Sequence, residues 1–166
     1  MGKKIIKLDT VNAVGQRTLR FSQCKQEMEG YDLNRSYPIT SILRVSTLAD
    51  LNRETLSATV SLPRINTSTN LQNIRRLPNF RLSVSLVTIS DMMYNPDGIL
   101  HKYQPVNKDL NVVCKSTLSD WHSTNDVMSG NVLSVQIKDD TLFPLTDNVT
   151  VLLSMGIEFG NVGFGM

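Results

Sequence analysis

Thr55-Leu56-Ser57-Ala58-Thr59-Val60-Ser61-Leu62 alternates polar and apolar residues without an error. Successive side chains of an extended chain point to opposite faces of a sheet. The lettering therefore predicts a strand with Leu56, Ala58, Val60 and Leu62 in the core and Thr55, Ser57, Thr59 and Ser61 toward water. Pro63 ends it, because proline has no N–H to give to a ladder.

Phe80 to Ile89 repeats the pattern, with Phe80, Leu82, Val84 and Leu86 on one face until the alternation slips at Val87. A one-residue slip moves the apolar set to the other face, which predicts a bulge near Val87 or burial of both faces. Val149, Val151, Leu153, Met155, Ile157 and Phe159 predict the strongest strand, all six facing inward. Residues 132–137 give a shorter strand; 110–117, 41–47 and 18–25 are weaker ones. Turn chemistry separates them at Asn95-Pro96-Asp97-Gly98, around Pro144 between Asp139-Asp140 and Asp147-Asn148, and in the polar loop Asn66 to Asn70. Helix is scarce, the best candidate being Thr47 to Glu54 with Ser46 or Thr47 as its cap. The expected fold is all-β: an antiparallel β-sandwich, Ig-like or jelly-roll-like, of seven to nine strands with little helix. One domain spans 1–166, with 1–14 and 160–166 as extended arms.

Of the 166 residues 40% are hydrophobic and 19% charged. The charged share is below the usual figure of about 25%, and Ser, Thr and Asn make up the difference. This excludes a charged disordered tail, a coiled coil and a collagen-like repeat. The net charge of +2 is too mild to argue for nucleic acid or an anionic membrane. No stretch has the apolar length of a membrane span. Lys3 and Lys4 precede only Ile5 and Ile6 before Lys7, so no secretory signal is expected and the chain is read as made in the cytoplasm, for incorporation into a particle or assembly. Ile6 stands where N-myristoylation needs Ser or Thr. The sequons at Asn34, Asn66 and Asn148 are then chance matches. Cys24 and Cys114 are isolated; two buried free thiols are favoured over a disulfide.

Catalytic residues are sparse. His101 and His122 are the only histidines, and no Gly-x-Ser-x-Gly elbow presents a serine to either. Asp139-Asp140 reads as a turn, and Asp91, Asp97, Asp139 and Asp147 form no calcium-loop pattern. No phosphate loop, dinucleotide fingerprint or cysteine pair for metal is found. The expectation is a non-enzyme without cofactor or metal. Arg75, Arg76 and Arg81 form a small basic cluster, but single-stranded nucleic acids need aromatic stacking too, and aromatics are 6% of the chain. Nucleic acid is disfavoured, and a contact with partner protein is the better use of the arginines. Tyr94, Tyr103 and Trp121 could stack on a sugar. The expected role is a structural or assembly subunit that self-associates or docks into a phage, tail-like or surface complex, most simply as a homo-oligomer. The alternative is a glycan- or peptide-binding module using Tyr94, Tyr103 and Trp121. Candidate interaction residues are Trp121, His122, Tyr94, Tyr103, Arg75, Arg76 and Phe164.

Gly15-Gln16-Arg17-Thr18-Leu19, Glu29-Gly30-Tyr31-Asp32-Leu33-Asn34, Val60-Ser61-Leu62-Pro63, Leu77-Pro78-Asn79-Phe80-Arg81-Leu82 and Met155-Gly156-Ile157-Glu158-Phe159 occur in an order that resembles the C-terminal part of an uncharacterised β-rich family of Bacteroidetes. That family has an N-terminal helical region and a further strand after the Gly-Ile-Glu-Phe element. The resemblance implies a reduced version or a fragment, its last strand supplied by a neighbour, and transfers no functional residue.

Overall fold

The computed structural model describes residues 5–7, 9–97, 102–137 and 145–162. Eleven strands run through them: β1 Leu48–Asn52, β2 Ser57–Leu62, β3 Ile65–Asn66, β4 Asn79–Ser90, β5 Met92–Tyr94, β6 Tyr103–Pro105, β7 Cys114–Leu118, β8 His122–Ser123, β9 Val127–Met128, β10 Asn131–Gln136 and β11 Val149–Gly160. Among the described residues strand outweighs helix by 42% to 12%, which makes the class all-β. The strands outnumber the expected seven to nine because several pair over only two or three residues, too few to leave a pattern in the lettering. The strands form a sheet β1-β2-β10, a sheet β11-β4-β7 with β8 also on β4, and the pairs β3-β9 and β5-β6. No helix among the described residues is long and apolar enough to cross a membrane.

The chain groups into two compact units, one of residues 1–31, 87–114 and 138–152, the other of 32–86, 115–137 and 153–166. In the second unit, β2 lies between β1 and β10, antiparallel to both. Ala58, Val60 and Leu62 of β2 are buried, as are Leu133 and Val135 of β10, while Ser57, Thr59 and Ser61 are half-buried on the other face. Leu56 is buried as the lettering predicts, but from the turn before the strand, with φ +44°. Asn52 Oδ1 shapes this turn by accepting from the Glu54 and Thr55 amides at 2.9 and 3.0 Å. Thr117 Oγ1 of β7 donates to the Ser134 carbonyl of β10 at 2.8 Å, joining an edge of one sheet to an edge of the other.

Several expectations are corrected. The stretch expected as helix, Thr47 to Glu54, contains β1, paired with β2 over its whole length from Leu48↔Ser61 to Asn52↔Ser57. A ready neighbour outweighs a weak helix preference. Residues 41–47 contribute one bridge, Leu43↔Leu71, and 18–25 one bridge, Leu19↔Met92, followed by the 3-10 turn Phe21–Gln23. The loop Asn66 to Asn70 winds into one helical turn, Thr67–Asn70, capped by Asn66 Oδ1.

No bulge interrupts β4, whose residues alternate between half-buried and buried from Asn79 to Ser90. The slip at Val87 is one of chemistry: Thr88 and Ser90 occupy the buried face. The extra residue lies opposite. Val112 N–H donates to the Thr88 carbonyl at 2.8 Å, and Thr88 N–H donates to the Val113 carbonyl at 2.9 Å. Two residues thus face one, a bulge whose first position is left-handed and normally glycine. Val112 occupies it with φ +63°. β11, expected to be fully inward on alternate residues, buries only Val149 and Thr150 and is half-buried or exposed beyond them. It ends the order β11-β4-β7, so among the described residues only β4 flanks it.

Candidate functional site

Trp121 is already engaged on its own unit. The Arg81 guanidinium lies 4.5 Å from the centroid of its ring. The Nε and Nη2 of Arg81 both reach Glu158 Oε2 at 2.8 Å. Gly160 packs against the indole, where an added Cβ would lie 2.7 Å from Cη2 and 3.2 Å from Cζ3. Trp121 therefore clasps β4 to β11, and its contacts leave less ring for a sugar. Arg81 lies forty positions earlier, and no spacing rule connects the two.

His122 pairs with Phe80 across β8 and β4, the rings 5.7 Å apart, and its Nε2 is buried without a hydrogen-bond partner among the described residues. A catalytic histidine needs an orienting acceptor on one nitrogen and a nucleophile near the other; packing against Phe80 provides neither. Tyr94 and Tyr103 come together as cross-strand partners of β5 and β6, edge to face at 5.7 Å. The Tyr103 hydroxyl donates to the Gly15 carbonyl at 3.4 Å. Arg75 and Arg76 are exposed on a turn that Asn73 closes, its Nδ2 donating to the Leu77 carbonyl at 2.6 Å and its Oδ1 accepting the Leu77 amide at 3.1 Å. Arg76 has φ +53°. Phe164, His101 and the pair Asp139-Asp140 lie outside the described residues.

Both cysteines are free. Cys24 is buried as expected, and burial, then the charges of Asp91 and Glu27, push its thiol up. Cys114 is exposed, contrary to expectation, because it begins β7 on an uncovered face. Among the described residues no three His, Cys, Asp or Glu side chains gather as a metal site.

The feature that sequence reasoning missed is β1. All five of its residues are exposed; Leu48 is 78% open and Leu51 38%. The register places Leu48, Asp50 and Asn52 in rows with Ser61, Thr59 and Ser57 of β2 and with Val132, Ser134 and Gln136 of β10. Ala49 and Leu51 share the face of Val60 and Ala58 yet overhang the core. Leu48-Ala49-Asp50-Leu51 lacks an alternating pattern, so its lettering resembled a helical turn.

Compared with protein families, curated proteins and solved structures, the chain matches none.

An edge strand carries a row of main-chain donors and acceptors with no strand beyond it. Natural proteins usually guard such rows with proline, lysine, bulges or a covering loop. β1 has neither proline nor lysine. Its one charge is Asp50, which forms no ion pair among the described residues. It can therefore accept a further strand, with main-chain hydrogen bonds giving affinity and alternate side chains giving selectivity.

A second region presents apolar side chains on a fixed loop. The Oδ1 of Asp9 accepts the amides of Val11 and Asn12 at 3.0 Å. Its Oδ2 accepts Asn12 Nδ2 at 2.8 Å, Thr18 N at 2.7 Å and Thr18 Oγ1 at 2.8 Å. These bonds, from Asn12 first and then Thr18, hold the carboxyl far below the usual carboxylate range. Gly15 turns the loop with φ +94°, and Val11 and Val14 stand 87% and 85% exposed.

Proposed function

We propose that this protein is a structural or assembly subunit that docks to another protein segment by strand addition along β1. The exposure of β1 along its whole length carries the reading: Leu48 stands open on the outer face of the sheet, Ala49 and Leu51 overhang the core on the other, and among the described residues no strand pairs with the far side of β1. A solvated edge of this kind is costly to keep free, because it templates unwanted pairing. Its retention is explained if pairing is its use. The mostly neutral outer face of β2 and β10, built from Ser57, Thr59, Ser61, Ser134 and Gln136, loses little charge hydration when covered.

The glycan-binding alternative finds less support. A sugar needs open aromatic faces, whereas Trp121 is taken up by Arg81 and Gly160, and Tyr94 and Tyr103 are turned on each other.

Photo-crosslinking in the cell of origin tests the reading. With benzoylphenylalanine at position 48, adducts should form and their sequenced peptides should be extended segments; the same group at the exposed Lys108 serves as the control. Yields at 48 no higher than at 108 would remove the reading.

A further inference from the structure

We propose that β1 receives a strand from a different protein, with a lysine or arginine seated opposite Asp50 and apolar residues beside Leu48, Ala49 and Leu51. The inference rests on the strand-addition reading and names the occupant of the edge.

A second copy of β1 is a poor occupant of this edge. Residues directly opposite in an antiparallel pair share a face, with Cβ atoms about 4.5–5.5 Å apart. Two copies of β1 joined by a two-fold axis, with full overlap, set Leu48 against Asn52, Ala49 against Leu51, and Asp50 against Asp50. The two carboxylates would then meet at the centre of a sheet, where like charges oppose pairing. The nearest registers that keep the faces matched are two residues away. One of them uses positions 46 and 47, which precede the strand; the other runs into the turn 53–56. Each shortens the shared ladder, so the middle carboxylate disfavours a homotypic sheet.

The same carboxylate favours a cation. Asp50 is the only charged residue of β1, is exposed, and forms no ion pair among the described residues. On its own face it is flanked by Leu48 and Asn52, while Ala49 and Leu51 occupy the other. A complementary strand therefore reads, from its N-terminus, polar, apolar, basic, apolar, apolar. Its basic side chain meets Asp50, and its last residue packs beside Leu48, where Val132 at 57% exposure extends the apolar row across β2.

The test uses a fluorescein-labelled peptide, Thr-Thr-Val-Lys-Val-Val-Thr, and its counterpart with glutamate for lysine, titrated against the full chain by anisotropy. The lysine peptide should bind about fivefold tighter or more, by the size of paired opposite-charge and like-charge cross-strand contacts. Asp50→Lys should reverse the order, and Asp50→Asn should remove the preference. These substitutions lie at an exposed position, and unchanged thermal melting confirms that they fold. Bound lysine peptide should also slow amide exchange across residues 48–52. Equal binding of the two peptides, or no binding of either, overturns the inference. A wild-type dimer in light scattering that Leu48→Lys dissolves also overturns it while leaving strand addition intact. Failure of the crosslink at position 48 together with failure of both peptides removes both.

Discussion

β4 and β1 break the same rule in opposite directions. β4 places the hydroxyl residues Thr88 and Ser90 at 0% exposure, while β1 leaves Leu48 in solvent. The difference lies in their neighbours: among the described residues β4 has strands on both sides and β1 only β2. In β4 the buried hydroxyls have partners. Ser90 Oγ donates to the Asp91 carbonyl at 3.1 Å and accepts the Asn107 amide at 2.9 Å, and Thr88 Oγ1 reaches the Val113 carbonyl at 3.5 Å. Period two tells which residues share a face. Sheet order decides whether that face is dry.

Leucine truncations give the largest contrast. Leu82→Ala, in the buried face of β4, should cost about 2–5 kcal/mol by transfer and cavity formation, whereas Leu48→Ala should stay within about 0.5 kcal/mol. Chemical denaturation measures both, and similar losses would mean that β1 is covered in solution. Ser90→Ala comes next: leaving the Asn107 amide and the Asp91 carbonyl without this partner should cost about 1–3 kcal/mol. A neutral result would show that water or another group serves them. The smallest effect is a gain. Val112→Gly should stabilise the chain by about 0.5–1 kcal/mol, because a β-branched residue is strained at the left-handed bulge position while glycine is not. Destabilisation there would indicate that the valine side chain is needed.

The interior of the three-stranded sheet was legible because in β2 the lettering and the geometry share one period, and Phe80 to Leu86 was legible for the same reason. Beyond Leu86 the lettering turned apolar at Val87 and Ile89 while the backbone kept its phase, since hydrogen-bonded Thr88 and Ser90 can occupy a buried face. The bulge stayed hidden because it belongs to the opposing segment, at a valine where glycine would have marked it. Thr47 to Glu54 offers a helix cap at Ser46 or Thr47, and the lettering of Leu48 to Asn52 has no alternation to set against it; only the pairing with β2 makes those residues a strand. The pairing of Tyr94 with Tyr103 depends on a register that the lettering of three-residue strands does not contain, and the grip of Arg81 on Trp121 on a contact between strands distant in the chain.

The clasp at Asp9 separates the shape of residues 9–18 from the identity of the side chains they display. One carboxylate and its donors set the path of the backbone, so Val11 and Val14 contribute little to holding it. Such a framework lets the displayed letters drift under selection without rebuilding what carries them, much as a type case keeps its compartments while the sorts are exchanged.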